Sequence, residues 1–196
     1  MEERELLARE LHGEATSLLN QTYFWNVFNL HGTIVPCGSY ALDLMVWPDL
    51  DVYFEVDDYA HVLTVYAEAA RAIIPHGQLV SMQIQNPSHI VDPCLPRYYF
   101  RMIIQMPRWE WKIDLLSFEK KFLDARMQEV EEIKQKITPQ KRALILQRKH
   151  ELMERCGKGR TPSLSSYHLY KAVLDEGLED FPSIEAYLIS RGVKTL

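Results

Sequence analysis

Long apolar runs are missing from this chain, and so are paired cysteines, repeats and an excess of positive charge. Across its 196 residues no stretch approaches the ~20 consecutive apolar residues of a membrane-crossing helix. The opening Met1-Glu2-Glu3-Arg4-Glu5 lacks the basic start and apolar run of a secretion signal, so a soluble, cytoplasmic protein with no membrane partner is expected. Cys37, Cys94 and Cys156 are odd in number and far apart, which excludes a disulfide framework or a zinc ribbon and predicts reduced thiols. The seven histidines show no metal-ligand spacing. With 22 Lys and Arg against 27 Asp and Glu, the net charge of −5 argues against a surface that binds nucleic acid as a whole.

What is present is an ordinary globular composition, 47% hydrophobic and 25% charged, enough to bury a sizeable core. Leu7, Leu11, Ala15, Leu18, Leu19, Tyr23, Val27 and Phe28 recur every three or four residues, which predicts a long amphipathic first helix. Residues 33–37 read as a short strand. Asp57 is placed to cap a helix through Ile74 that buries Val62, Leu63, Tyr66, Ala70 and Ile73. Leu79–Ile84 reads as a strand, Asn86–Pro96 as a loop, and 97–105 with 109–118 as a hairpin turning at Met106-Pro107-Arg108. Trp109 and Trp111 fall on that hairpin, either lining a pocket or interface or buried as strand aromatics usually are.

Beyond Phe118 glycine is absent until Gly157 and helix formers dominate, so the chain divides into 1–118 and a helical region, 119–196. Thr138-Pro139 and Asp180-Phe181-Pro182 mark helix starts, and Ser165 or Ser166 another; Gly157–Ser163 reads as a loop. From Lys134 to Arg160 nine Lys or Arg face two acids, Glu151 and Glu154. Such a stretch is a solvated helix face or a wall that attracts phosphates or an anionic partner.

Chemistry concentrates at Gly38-Ser39, Asp49-Leu50-Asp51 and Asp114. A strand alternates its side chains, so Asp49 and Asp51 share one face while Leu50 and Val52 take the other. Two anions so close are tolerated mainly where a proton or a cation offsets them. In Glu110–Phe118 the apolar Ile113 and Leu115 leave Asp114 on the opposite face, where a third carboxylate can reach the same ions. Mg²⁺ suits a few carboxylates plus substrate phosphates. Gly38 removes a Cβ that would block a phosphate, and Ser39 offers a hydroxyl and amides where a helix begins. Nine residues separate Ser39 from Asp49, enough for a tight turn and a short helix. Lys112 lies two residues before Asp114 on the same face, where it contacts a phosphate or forms a plain salt bridge.

This arrangement resembles the nucleotidyltransferase superfamily of the DNA polymerase β type, whose pattern is hydrophobic-Gly-Ser, about ten residues, Asp-x-Asp, and a later strand-borne Asp. Gly38, Ser39, Asp49, Asp51 and Asp114 carry the resemblance. Where many members have a glycine a few residues after the serine, this chain reads Tyr40-Ala41-Leu42-Asp43. The resemblance implies an α+β fold, a mixed β-sheet flanked by helices and followed by a helical C-terminal extension. It implies two Mg²⁺ or Mn²⁺ ions on Asp49, Asp51 and Asp114, and an NTP, by default ATP, on Gly38, Ser39 and Lys112. It also implies that the helical region closes the nucleotide site, with Tyr167 stacking on the base and Lys171 reaching the γ-phosphate, where the residues alone read first as Leu169 and Tyr170 in a core and Lys171 in solvent. The expected reaction moves a nucleoside monophosphate, AMP first, to a hydroxyl-type acceptor and releases pyrophosphate. Small size and acidic charge argue for a small molecule or a protein as acceptor over nucleic acid. The rivals are a non-catalytic, antitoxin-like module of the same fold that binds a nucleotide or a protein, and a metal-dependent phosphohydrolase.

Overall fold

Five strands form one mixed sheet in the order β1-β2-β5-β4-β3. The computed structural model describes residues 2–21, 32–55, 59–76, 78–85, 98–157 and 165–193. Its strands are β1 (Ile34–Pro36), β2 (Asp49–Glu55), β3 (Gln78–Gln85), β4 (Tyr98–Gln105) and β5 (Glu110–Phe118), and its helices are α1 (Glu2–Gln21), α2 (Gly38–Ala41), α3 (Tyr59–Ile73), α4 (Lys120–Gln135), α5 (Pro139–Cys156), α6 (Ser165–Leu174) and α7 (Phe181–Ser190). Only β2 and β5 run parallel; β1 pairs β2, and β4 pairs both β5 and β3, antiparallel. The fold is the expected α+β arrangement. Tyr23, Val27, Phe28, Asp57, the 86–96 loop and most of 157–163 lie outside the described residues.

The two faces of the sheet have different fates. Leu50, Val52 and Phe54 of β2, Ile113 and Leu115 of β5, and Phe100, Met102 and Ile104 of β4 are all buried. They pack with Leu11, Ala15 and Leu18 of α1 and Val62, Val65, Tyr66 and Ala69 of α3. Each such fully buried side chain contributes about 1.5–3 kcal/mol, which fixes the register of every strand it sits on. Leu63, expected in this core, is 36% exposed instead, because the buried stripe of α3 runs through Val65 and Ala69. Trp111 alternates with Ile113 and Leu115 and is wholly buried, its indole N–H donating to Glu14 of α1 at 3.1 Å, while Trp109 packs against the same core.

A second core joins the C-terminal helices to the loop between α2 and β2. Leu42, Leu44 and Val46 pack with Ile145, Leu146 and Leu152 of α5, Leu169, Tyr170 and Val173 of α6, and Ile184 and Leu188 of α7. Helix starts follow the predicted caps. Thr138 Oγ1 accepts from the Lys141 amide at 3.2 Å and Asp180 Oδ1 from the Ser183 amide at 2.9 Å, each before a first-turn proline. No described helix is long and apolar enough to cross a membrane.

Candidate active site

On the sheet face turned away from α1 and α3, parallel pairing sets Asp51 opposite Asp114 and Asp49 opposite Lys112. One carboxylate oxygen from each of Asp49, Asp51 and Asp114 lies within 4.8 Å of the others. Like charges facing each other across strands are destabilising, and this site carries that cost in a recognisable form. Burial, and then the charge of Asp49, push the Asp51 pKa up from 3.8 to about 8. Lys112 Nζ lies 2.8 Å from Asp49 Oδ2 and 3.3 Å from Asp114 Oδ2. Burial pulls the Lys112 pKa down, but Asp49, Asp114 and Asp51 together hold it above its ordinary value. Antiparallel β4 places Arg101 opposite Asp114, and the guanidinium grips both carboxylate oxygens, at 2.9 and 3.1 Å.

The residues fit divalent cations on one further count. Trp47 Nε1 donates to Asp49 Oδ2 at 3.1 Å, whereas Asp49 Oδ1 is buried and finds no hydrogen-bond partner among the described residues. A buried carboxylate oxygen left open in this way is costly unless something positive occupies the space beside it. Three hard oxygen donors converging there match the preferences of Mg²⁺ or Mn²⁺.

Beside the triad stands the Gly-Ser turn. The Cys37 amide donates to the Asp51 carbonyl at 2.9 Å, which ties the start of α2 to β2. Gly38 has φ +58°, and a Cβ on it would collide with the Asp51 carboxylate. The missing side chain therefore makes room for the Asp51 carboxylate itself, besides any phosphate. Helix α2 ends on Leu42, and the chain then turns at Asp43, which has φ +55°. Asp43 thus takes a left-handed conformation that ordinarily favours Gly. Arg142 of α5 holds it, Nε donating to the Asp43 carbonyl at 3.1 Å and to Oδ2 at 3.0 Å, and Arg142 also pairs with Glu5.

Ser39 meets the C-terminal helices directly. Lys149 of α5 is 1% exposed, and its Nζ donates to Ser39 Oγ at 2.8 Å, to the Leu44 carbonyl at 2.6 Å and to Tyr170 Oη at 3.1 Å. Tyr170 Oη is also 3.1 Å from Ser39 Oγ. The ammonium lies 4.8 Å from the centre of the Trp47 ring. Sequence reasoning missed both residues individually: Lys149 is hidden in the basic stretch and Tyr170 reads as core. Of that stretch, Arg142, Arg148 and Arg155 pair with Glu5, Glu151 and Glu185, so among the described residues Lys149 is the member that reaches the site. A lysine on the buried face of an amphipathic helix is the signal that marks it.

Tyr167 and Lys171 sit on α6 one turn apart and face Glu129 of α4. Tyr167 Oη donates to Glu129 Oε1 at 2.7 Å, and Lys171 Nζ is 3.9 Å from the same oxygen and 3.6 Å from Asp175. Burial and Glu129 push the Tyr167 pKa up to about 12. These two residues form a cluster separate from the contacts at Ser39, which α6 makes through Tyr170.

No family model matches the chain, and no curated protein matches it. Solved structures do. The Cid1 poly(U) polymerase bound to MgGTP aligns at TM-score 0.57 and 13% identity, over 84% of this chain and 50% of that one. A complex of the non-canonical poly(A) polymerase GLD-2 with GLD-3 aligns at 0.54 and 15%, over 88% and 55%. A cytoplasmic RNA terminal U-transferase aligns at 0.52 and 12%, over 89% and 54%. The chain shares the nucleotidyltransferase fold with these proteins and spans about half the length of each. The expectation that nucleic acid is not the acceptor does not survive this comparison, since these proteins of the same fold are RNA-extending enzymes by name. Net charge misled because it averages over a whole surface, while phosphate recognition depends on a few local cations.

Proposed function

We propose that this chain is a metal-dependent nucleotidyltransferase that moves a nucleoside monophosphate from an NTP to the 3′-hydroxyl of an RNA and releases pyrophosphate. The observation that carries the reading is the convergence of Asp49, Asp51 and Asp114 beside the Gly38 turn, with a buried Asp49 oxygen that has no hydrogen-bond partner among the described residues. Asp49, Asp51 and Asp114 hold the divalent cations, which when bound neutralise the triphosphate and lower the pKa of the acceptor hydroxyl. Ser39 and Lys149, now bonded to each other, exchange that bond for triphosphate oxygens, and Lys112 keeps Asp49 and Asp114 at a fixed spacing. Tyr167, its ring held by Glu129, offers a stacking surface for the base, and Lys171 a cation for the γ-phosphate.

The neighbours' names include both poly(A) and poly(U) polymerases, so ATP and UTP are the first donors to compare. A cytoplasmic location goes with this reading, as in the name of one neighbour. The test is extension of a labelled single-stranded RNA with each of the four NTPs and Mg²⁺ or Mn²⁺, beside Asp49→Ala/Asp51→Ala. Extension that the double variant loses supports the proposal. No extension of any RNA with any NTP, from protein that still binds nucleotide without Mg²⁺, rejects it in favour of a binding module.

A further inference from the structure

The three carboxylates are not equivalent. Asp49 keeps Oδ1 free of hydrogen bonds among the described residues, whereas both oxygens of Asp114 are taken by the Arg101 fork, and Lys112 adds a contact at 3.3 Å. A cation entering the site meets an open edge on β2 and a capped carboxylate on β5. The cap is also the exposed partner. The Arg101 side chain is 37% exposed against 7% for Asp114, and its guanidinium lies 5.3 Å from the centre of the Tyr99 ring. A planar guanidinium that grips a carboxylate bidentately grips a phosphodiester with the same two-point geometry, so an RNA backbone can take Arg101 over without leaving it unpaired.

We propose that Arg101 is a latch on Asp114, released by a phosphodiester of the acceptor RNA. Asp114 then joins the cation site only when an acceptor strand is present. The proposal rests on the nucleotidyltransferase reading and adds a positioning residue to it. Its consequence is order of assembly: cation and nucleotide settle first on Asp49 and Asp51, and the third ligand opens last, which keeps water from substituting for the acceptor.

Binding of Mn²⁺, followed by the electron-spin resonance of the free ion at roughly physiological ionic strength, tests this without turnover. The RNA is a single strand ending in a 3′-deoxynucleotide, with its own Mn²⁺ uptake subtracted. The wild-type chain should bind one ion tightly and a second weakly, and the RNA should tighten the second by about tenfold, the scale of removing one partly screened charge from the site. Arg101→Gln should show the tighter second ion without RNA and no further gain with it. Arg101→Lys, which keeps the charge but not the fork, should fall between. An Arg101→Gln isotherm equal to or weaker than wild type overturns the latch, and so does an RNA effect that persists in that variant. If Asp49→Asn/Asp51→Asn abolishes Mn²⁺ binding while Arg101→Gln changes nothing, only the latch fails. If the wild type binds no Mn²⁺, the nucleotidyltransferase reading falls with it.

Discussion

Asp51 is where folding and chemistry oppose each other. Its pKa is raised from 3.8 to about 8 by burial and by Asp49, so the folded state holds a proton that the unfolded chain releases. A raised carboxylate destabilises the fold progressively as pH climbs through that interval, and the penalty is complete above the folded value. Asp51→Asn removes the titration. In EDTA the Tm advantage of the variant should therefore already be present at roughly pH 5 and widen by several degrees or more on the way to about pH 9, since ~1 kcal/mol moves Tm by about 2–4 °C in a domain of this size. Mg²⁺ should raise wild type toward the variant and leave the variant where it is. Melting scans across pH decide it, and a gap that is constant with pH would show that burial of this charge is not the cause. Gly38 gives a second residue-level prediction. Its φ of +58° and the Asp51 carboxylate in the Cβ position both oppose any side chain. Gly38→Ala should fold with a small loss of stability, roughly 1–2 kcal/mol, and lose at least about a hundredfold in RNA extension, because the nearest relief moves the acid that binds metal.

Elements carry the site in a way that the chain reveals unevenly. Period-two alternation in β2 and β5 placed Asp49, Asp51, Lys112 and Asp114 on one face before any coordinates, because burial of Leu50, Val52, Ile113 and Leu115 leaves no other register. Arg101 was not legible for a simple geometric reason. A three-residue turn at Met106-Pro107-Arg108 would set Phe100 opposite Asp114, whereas Glu110 pairs with Gln105 and the turn spans four residues, bringing Arg101 there. Lys149 is hidden among many cations, and the sign that sets it apart is its spacing of three or four residues from Ile145, Leu146 and Leu152 on the buried face of the helix. Helix α5 delivers it, and the delivery can be tested. Lys149→Met keeps the volume and the apolar stem while removing the charge beside Ser39 and Tyr170. The variant should stay folded, raise KM for the NTP by about tenfold or more, and change RNA affinity little. A KM at the wild-type value would make Lys149 a strut between the two cores and no more.

At the scale of the whole molecule the question is how a chain of net charge −5 would hold the RNA proposed as its acceptor. The basic residues of the C-terminal helices are mostly spent on the protein itself: Lys136 on Asp175, Arg142 on Glu5 and Asp43, Arg148 on Glu151, Arg155 on Glu185. Near the triad, Arg101 has the exposure to meet a backbone phosphate, while Lys112 and Lys149 lie deeper, toward the carboxylates and Ser39. Each single-strand phosphate neutralised contributes about 0.7 to the slope of log affinity against log salt, so the contact through Arg101 alone gives a slope of about −0.7. Binding that shallow is weak and short-lived. The chain should therefore add one or a few nucleotides per encounter, giving a ladder that lengthens with enzyme concentration rather than a long-tailed product beside unextended RNA. Filter binding from 50 to 200 mM salt, roughly the range in which phosphate contacts show most clearly, together with extension under a trap of unlabelled RNA, measures both. A slope several times steeper, or long tails under the trap, would mean that a further basic surface takes part and that the acceptor is not held through the cleft alone.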